Sequence, residues 1–249
     1  MGSLSGKTLI VTGGARGIGR AYALALAKEG GNLVLADVLD ATNVAEEIRD
    51  NGGEAVSTIT DISNEQSNNE MARTATDAYG SIDVLINNAA MFSETTRGPF
   101  NEVTIEEWDQ AFAVNVRGVW LSCCAVYPQM IKQGGGKIIN IASNTCYKGT
   151  IGFPHYVASK SAILGLTRCL ATELGRDGIT VNVLSPDLIP DPTQRPTDAV
   201  SDEIVVAGRP LKRTQTAEDM IGTMLYLCSS ASDFVTGQSI LVNGGAYLH

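Results

Sequence analysis

Short apolar runs and amphipathic stretches alternate along the chain, and this pattern predicts strands followed by helices. Residues 9 to 12 are typical of a buried strand, a glycine-rich turn follows, and residues 18 to 28 have the spacing of an amphipathic helix. Further strands are predicted at residues 32 to 37, 55 to 60 and 82 to 86, and helices at residues 41 to 50 and 65 to 79. Repeated strand and helix units with short turns predict an α/β fold built on a doubly wound parallel sheet.

The second half of the chain continues this alternation. Thr104 is placed to cap a long helix that extends to Met130, and three glycines at residues 134 to 136 end it. The remaining predicted elements are strands at residues 137 to 142, 179 to 184 and 239 to 242, and helices at residues 156 to 174 and 217 to 227. The order of elements is that of a Rossmann-type sheet, whose ligands bind beyond the carboxyl ends of the strands.

No change in composition divides the 249 residues, so we predict a single domain over residues 1 to 249. One segment departs from the regular pattern. Residues 193 to 215 are irregular and polar and contain Pro196 and Pro210, which favours a mobile substrate lid over roughly residues 188 to 215.

The charge and the apolar content exclude some functions. Eighteen Lys and Arg residues against 27 Asp and Glu leave a net charge of −9. This balance argues against nucleic-acid binding, because a nucleic-acid groove needs a basic stripe. No apolar run reaches the roughly 20 residues of a membrane span, and residues 1 to 7 lack the apolar core of a signal peptide. We therefore expect a cytoplasmic protein with no membrane partner.

The five cysteines are odd in number and show no C-x-x-C spacing. We expect reduced thiols in the core and no metal site. The residues are Cys123, Cys124, Cys146, Cys169 and Cys228.

The glycine-rich turn after the first strand is a candidate phosphate site. Gly13, Gly17 and Gly19 follow the spacing G-x-x-x-G-x-G. Glycines let the backbone approach a ligand closely, and the N–H groups at the start of the next helix favour an anion such as a pyrophosphate. Asp37 ends the next strand, about twenty residues further on, where a carboxylate can accept hydrogen bonds from a ribose. A tight connection without a ligand is the alternative interpretation.

Two other strand ends face the same edge of the predicted sheet. Asp61 and Ile62 follow the third strand. Asp61 is placed either to contact an adenine amino group or to cap the next helix, and both interpretations stand at this point. Asn88, Ala89 and Ala90 follow the fourth strand and fall at the edge where a ligand is expected.

Tyr156 and Lys160 are four residues apart on a predicted helix and so share one face. A lysine ammonium ~4 Å from the phenol, at an effective dielectric constant of ~20, contributes about 4 kcal/mol and lowers the tyrosine pKa to ~7. Such a tyrosine can exchange a proton with a carbonyl or an alcohol while a dinucleotide transfers hydride. Ser143 can bind the same oxygen. Asn115 either positions Lys160 through water or pairs with a backbone carbonyl.

These features together resemble the short-chain dehydrogenase/reductase family over nearly the whole chain. The turn from Thr12 to Gly19 and the stretch from Asn87 to Ala90 match its cofactor motifs. The resemblance implies a catalytic tetrad of Asn115, Ser143, Tyr156 and Lys160. It also implies a homotetramer with subunit contacts on the helices predicted at residues 104 to 130 and 156 to 174. The implied cofactor contacts are Gly13, Arg16, Gly17, Ile18, Gly19, Asp37, Asp61, Ile62, Asn88, Ala89, Ala90, Tyr156, Lys160, Pro186, Leu188 and Ile189.

The chain departs from the family pattern at two positions. Asp187 stands where the family usually has glycine, which predicts an altered backbone beside the nicotinamide and a carboxylate within reach of the substrate. Ala90 replaces another glycine. For the choice of cofactor, Asp37 repels a 2′-phosphate and favours NAD, whereas Arg16 is able to pair with that phosphate. We follow Asp37 and predict NAD.

The predicted function is an NAD-dependent oxidoreductase that interconverts a small secondary alcohol and a ketone. Its apolar, aromatic or cyclic substrate is expected to contact residues in the lid together with Phe92, Cys146, Tyr147, Phe153 and His155. The segment after Ser185 and the C-terminus are similar to the phenylethanol dehydrogenase branch of the family. The alternatives are a 3-oxoacyl carrier-protein reductase that uses NADPH, and a regulator that binds a dinucleotide without catalysis.

Overall fold

The structure is a computed structural model that describes residues 2 to 92, 95, 97 to 190 and 202 to 248. The strands are β1 (Thr8–Thr12), β2 (Asn32–Asp37), β3 (Glu54–Ile59), β4 (Val84–Asn87), β5 (Gly136–Ile141), β6 (Ile179–Pro186) and β7 (Ser239–Val242). The helices are α1 (Gly17–Lys28), α2 (Thr42–Asp50), α3 (Glu65–Tyr79), α4 (Ile105–Phe112), α5 (Val119–Lys132), α6 (Thr145–Lys148), α7 (Pro154–Leu174), α8 (Asp202–Ala207) and α9 (Glu218–Cys228).

The seven strands form one sheet in the order β3-β2-β1-β4-β5-β6-β7, and each neighbouring pair is parallel. Ile10 of β1, for example, lies opposite Val34 on one side and Leu85 on the other. The strand order reverses between β1 and β4. This is the point at which sheets of this type bind ligands, so the predicted fold class is confirmed.

Both faces of the sheet are covered, which explains why the strands are continuously apolar. Leu9 and Val11 of β1 contribute to a core shared with α1 and α9. Ile10, between them, contributes to the opposite core with α3 and α5. Successive side chains of a strand point to opposite faces, so a strand buried on both sides needs apolar residues at every position.

The predicted long helix from Thr104 to Met130 contains an irregularity that periodicity did not reveal. Thr104 caps α4 together with Glu107 in a capping box, as predicted. A π-helical segment, Ala113–Gly118, then separates α4 from α5. Segments of this type commonly occur at functional sites. Elsewhere, α3 and β7 have the predicted bounds, and β6 extends two residues further to Pro186.

Two of the five cysteines differ from the expectation of core thiols. Cys124 and Cys169 are exposed, whereas Cys123 and Cys228 are buried and Cys146 is intermediate. An apolar helix carries some residues on its outer face. In the described parts of the chain, no three metal-ligating side chains cluster, and none of the helices has the length and apolarity needed to traverse a bilayer.

Candidate active site

The turn between β1 and α1 has a backbone that only glycine accommodates. Gly13 has a φ of +68° and Gly17 a φ of +55°, in the left-handed region. A Cβ at Gly13 would lie 2.9 Å from the Cα of Ala89, and one at Gly19 would lie 1.9 Å from the carbonyl oxygen of Gly13. The turn therefore packs against the end of β4 and leaves the start of α1 open to the cleft.

Asp37 is held in a fixed orientation at the end of β2. Its side chain is buried, and its two carboxylate oxygens accept hydrogen bonds from the backbone N–H groups of Ala15 (3.0 Å) and Leu39 (3.0 Å). Both donors belong to the chain itself. The charge of this carboxylate therefore stands at the edge of the cleft in the position predicted for a ribose contact.

The ends of β1 and β4 are joined by the side chains of Thr12 and Asn88. Asn88 Nδ2 donates to the carbonyl oxygens of Thr12 (3.0 Å) and Gly13 (3.2 Å). Thr12 Oγ1 accepts from the backbone N–H groups of Asn88 (3.0 Å) and Ala89 (3.1 Å). These bonds hold the two strands together at the point where the strand order reverses.

Asp61 does not cap α3, which removes one of its two interpretations. The cap is Asn64, whose side chain accepts from the backbone N–H of Ser67 at 3.0 Å. Asp61 Oδ1 accepts from the backbone N–H of Ser63 (2.9 Å) and from its hydroxyl (2.7 Å). Asp61 and Ile62 both line the cleft.

A cavity of about 950 Å³ lies along the carboxyl edge of the sheet. Of the predicted site residues, Gly17 and Asn115 do not line it, and Ser143 does. The predicted cofactor contacts that line it are Gly13, Arg16, Ile18, Gly19, Asp37, Asp61, Ile62, Asn88, Ala89, Ala90, Tyr156, Lys160, Pro186, Leu188 and Ile189. The cavity is therefore one continuous space that joins the glycine turn to Tyr156.

Ser143, Tyr156 and Lys160 come together in the middle of this cavity. Ser143 follows β5, and its hydroxyl, which accepts hydrogen bonds from Thr145, lies near the phenol of Tyr156 in the first turns of α7 and lowers the pKa of that phenol. Lys160 lies one turn further along α7 and donates from Nζ to the carbonyl oxygen of Ile141 at 2.8 Å. The three side chains can thus bind one carbonyl oxygen and supply a proton to it.

The expected lowering of the Tyr156 pKa is wrong for the protein by itself. Burial raises the pKa of Tyr156, and a hydrogen bond from Ser143 only partly offsets this rise. Burial also lowers the pKa of Lys160, to about 8. The Lys160 ammonium is therefore a stronger acid than the phenol, so it does not hold Tyr156 as a resting phenolate but can return a proton to one. Burial of both groups outweighs the charge attraction assumed from their spacing.

Asn115 pairs with the backbone, which was one of its two predicted roles. It lies fully buried in the π-helical segment. Its Oδ1 accepts from the N–H of Met91 at 2.8 Å, and its Nδ2 donates to the carbonyl oxygen of Met91 (3.2 Å) and to Ser159 Oγ (3.0 Å). Asn115 therefore ties the segment after β4 to α7 beside Lys160.

Asp187 lines the cavity, but both of its carboxylate oxygens are engaged in ion pairs. Oδ2 accepts from Arg209 Nε at 2.9 Å, and these two side chains are 3% and 2% exposed. Oδ1 accepts from Lys148 Nζ at 3.1 Å. Burial alone raises the pKa of Asp187, but the pairing with Arg209 and Lys148 outweighs burial and holds the pKa below its usual range.

The C-terminal part of the predicted lid is attached to the cleft through this ion pair. Arg209 also donates to the carbonyl oxygens of Leu188 (2.9 Å) and Arg213 (3.1 Å). Gln215 accepts from the backbone N–H of Asp187 at 3.1 Å and is buried. Residues 191 to 201 of the predicted lid lie outside the described residues.

The wall beside Tyr156 is aromatic. The ring of Phe153 stacks on that of Tyr156 with centroids 4.7 Å apart, and the ring of Phe92 lies 5.3 Å from Tyr156. Both phenylalanines line the cavity, as predicted.

Three residues predicted beside these phenylalanines, namely Cys146, Tyr147 and His155, do not line the cavity. His155 is fully buried with its ring edge against Phe153. Other lining residues were not predicted. They include Lys148 at the end of the short helix α6, and Arg97, Thr150 and Ile151, which lie in loops without a regular sequence pattern.

Comparison with known proteins agrees with this geometry. A family model described as Enoyl-(Acyl carrier protein) reductase matches residues 13 to 247. The solved structure of a short-chain type dehydrogenase/reductase from Mycobacterium ulcerans superposes with a TM-score of 0.92 at 29% identity, covering 98% of this chain and 90% of that one. The chain belongs to the short-chain dehydrogenase/reductase family.

Two curated members of this family are similar over almost their full length. The 3-oxoacyl-acyl-carrier-protein reductase FabG of Staphylococcus epidermidis is 37% identical, covering 97% of this chain and 99% of the relative. The (2S)-((R)-hydroxy(phenyl)methyl)succinyl-CoA dehydrogenase subunit BbsD of Thauera aromatica is 34% identical, covering 98% of each. Like its family, the present short-chain dehydrogenase/reductase is an oxidoreductase that binds a nicotinamide dinucleotide.

The residues of the cleft fit such a dinucleotide. The glycine turn lies tightly against the end of β4 and borders the cavity, and the start of α1 presents backbone N–H groups to an anion. Asp37 offers a carboxylate for a ribose, and Tyr156 and Lys160 line the same cavity. When bound, the nicotinamide supplies or accepts a hydride.

Proposed function

We propose that the protein interconverts a 3-oxoacyl thioester and the corresponding 3-hydroxyacyl thioester with NAD(H). The observation that carries this proposal is a cavity that joins a glycine turn to a buried phenol. The two curated relatives, which match this chain over almost their full length, are named for reactions on acyl thioesters. These relatives favour the reductase alternative of the sequence analysis over an alcohol dehydrogenase that acts on free alcohols.

Tyr156 serves as the proton donor when the ketone is reduced. Its raised pKa keeps the phenol protonated, and Ser143 orients both the phenol and the ketone oxygen. As the oxygen gains the proton, the phenolate is stabilised by the Ser143 hydroxyl. Lys160, which is anchored to the carbonyl of Ile141, returns a proton to the phenolate.

Asp37 supports NAD(H) as the cofactor. Its carboxylate is fixed by two backbone N–H groups and does not turn away from the cleft without losing both. A 2′-phosphate at this position would meet a like charge, whereas a ribose hydroxyl would donate to the carboxylate. Arg16 also lines the cavity, and we assign it to the pyrophosphate end.

A second candidate is a dehydrogenase of free apolar or aromatic secondary alcohols, and the wall formed by Phe92 and Phe153 favours it. A parallel assay distinguishes the two. The purified protein is offered a 3-oxoacyl thioester and free aliphatic and aromatic ketones, each with NADH and with NADPH. We expect the highest kcat/KM with the thioester and NADH. A protein that binds NADH but reduces none of these compounds would instead be the non-catalytic regulator.

We also propose the homotetramer that the family resemblance implies. Ile105, Trp108 and Trp120 on α4 and α5 are large apolar side chains with high exposure, and an interface between subunits would cover them. Light scattering of the wild type and of Trp120→Glu tests this assembly, and an unchanged mass would contradict the assigned interface. The cytoplasmic location stays a prediction.

A further inference from the structure

Arg97 lines the cavity, and its guanidinium carries a buried N–H donor that is not paired within the described residues. Its guanidinium carbon lies 4.7 Å from the centre of the Phe153 ring, on the same ring that stacks on Tyr156. Its Nε is buried and, within the described parts of the chain, has no hydrogen-bond partner. A buried, unpaired donor on a cation is unfavourable, so this atom is a place where a ligand acceptor would be stabilised.

Thr150 supplies a second donor of the same kind. Its Oγ1 is buried without a hydrogen-bond partner among the described residues, and Thr150 lines the same cavity as Arg97. The two loops that carry these residues are joined, since the backbone N–H of Gly98 donates to the carbonyl oxygen of Gly152 at 3.2 Å. The two unpaired donors therefore stand on neighbouring segments, and Arg97 lies against the aromatic wall beside Tyr156.

The charge of Arg97 reaches the reacting end of the cavity. It acts against the rise in the pKa of Tyr156 that burial causes, so the guanidinium lies within electrostatic range of the phenol. An acceptor bound by Arg97 would accordingly lie beside the Phe153 ring that stacks on Tyr156.

We propose that Arg97 and Thr150 bind the acyl oxygen of the substrate, which in a 3-oxoacyl group is two carbons away from the reacting ketone carbon. This inference rests on the proposed function and deepens it by naming what selects the substrate. The shared chemistry is an acyl oxygen acceptor, present either in a thioester carbonyl or in a free carboxylate. A simple ketone leaves both donors unpaired, and a site built to hydrogen-bond a group discriminates against analogues that lack it.

The test compares three probes with NADH. Acetoacetyl-N-acetylcysteamine carries the thioester carbonyl, acetoacetate carries the carboxylate, and 2-pentanone keeps the ketone without an acyl oxygen. For Arg97→Gln we expect kcat/KM on an acyl probe to fall between about tenfold and about 150-fold, the loss of a charged hydrogen bond. On 2-pentanone we expect a change of less than about twofold. Thr150→Val should show the same selectivity with a smaller loss.

Two further variants serve as controls. Arg97→Lys keeps the charge without the planar fork and should lie between the wild type and Arg97→Gln. Arg73→Gln removes a charge from the exposed face of α3, away from the cavity, and should leave all three probes unaffected. A larger loss on acetoacetate than on the thioester identifies the carboxylate as the preferred acceptor, and the reverse identifies the thioester carbonyl.

The possible failures are separable. If the wild type reduces all three probes and Arg97→Gln changes them equally or not at all, the role of Arg97 is refuted while the proposed function stands. If the wild type reduces 2-pentanone but neither acyl probe, or reduces none of the three, the proposed substrate and the role of Arg97 are both refuted.

Discussion

The cleft has two halves that differ in how their polar side chains are paired. In the half formed by β1, β2 and β4, polar side chains are hydrogen-bonded to the backbone. In the half beside Phe153, two buried donors are unpaired among the described residues. Asp37 and Asn88 each make two hydrogen bonds to backbone groups. Arg97 Nε and Thr150 Oγ1 have no partner among the described residues. The first half is therefore preorganised before any ligand arrives, and the second retains donors for the molecule on which the protein acts.

The two halves also treat charge differently. Asp37 is a single carboxylate fixed by neutral donors, while Asp187 on the substrate side is paired with two cations, Arg209 and Lys148. Tyr156 and Lys160 lie where the halves meet, and burial favours the neutral form of both. Four substitutions test this contrast.

The largest effect on turnover is expected at Tyr156, where the two halves meet. Tyr156→Phe removes the proton donor but keeps the stacking on Phe153, so turnover should fall by about 10³-fold while NADH binding is retained. Steady-state kinetics and fluorescence titration with NADH measure the two quantities. Tyr226→Phe, on the outer face of α9, is the matched control. A kcat within a factor of about ten of the wild type would contradict the proposed role.

On the substrate side, Asp187→Ala leaves the buried guanidinium of Arg209 without its counter-charge. The free energy of unfolding should fall by about 3 to 5 kcal/mol, as measured by urea denaturation. The control is Glu47→Ala, which breaks an exposed ion pair with Arg20 and should change stability by less than about 1 kcal/mol. A similar loss of unfolding free energy in the two variants would contradict a stabilising role for the buried ion pair of Asp187 and Arg209.

The same pair predicts a pH dependence. The folded-state pKa of Asp187 lies below the value of about 3.9 in an unfolded chain, so the folded state binds fewer protons than the unfolded state as the pH falls. The stabilisation by Asp187 is therefore complete above pH ~4 and is lost below it. The difference in stability between the wild type and Asp187→Ala should shrink in that acidic range.

Lys160 should show a pH dependence of the same sign, but in the alkaline range. Its folded-state pKa of about 8 lies below the unfolded value of about 10.4, so the folded state binds fewer protons between these values. Stability therefore rises with pH in this range. Relative to Lys160→Met, the wild type should gain on the order of 3 kcal/mol between pH 7 and pH 10.5. Lys132→Met, at the exposed end of α5, is the control. A difference that does not vary with pH would contradict the burial of the ammonium.

The smallest effect is expected in the preorganised half. Asp37→Asn removes the charge but keeps one oxygen acceptor for the backbone, so the ratio of kcat/KM for NADH over NADPH should fall by roughly tenfold or more. Asp40→Asn neutralises an exposed carboxylate nearby that does not line the cavity, and it should leave the ratio unchanged. Equal ratios for the wild type and Asp37→Asn would show that Asp37 does not determine the choice of cofactor, and Arg16 would be the next residue to test.

Local sequence patterns predicted the parts of the molecule whose cause is local. The apolar runs of β1 and β7, the cap at Thr104 and the C-terminal glycine of α3 depend on residues within one or two turns, and the structure contains all of them. The edge of the sheet that carries Asp37 and Tyr156 also followed, because parallel strands present their carboxyl ends on one side.

Contacts between distant segments were beyond these patterns. Asp187 pairs with Arg209 22 residues later, and Asn115 bonds to Met91 24 residues earlier. Arg97 and Thr150 line the same cavity because their loops are joined by a backbone hydrogen bond, and these loops have no periodicity to identify them. The predicted direction of the Tyr156 pKa shift was also wrong. The four-residue spacing shows that Lys160 is a neighbour, but it does not show how far burial removes water from the phenol, and burial is what raises the pKa.

The sequence by itself determined the order of strands and helices, the glycine turn, and the identity of the side chains that line the cleft from strand ends. Only the tertiary structure decided which of those side chains are paired, which are buried and which keep a free donor. The physical reason is that hydrogen bonding within an element depends on near neighbours, whereas burial and ion pairing depend on whatever the fold brings next to them.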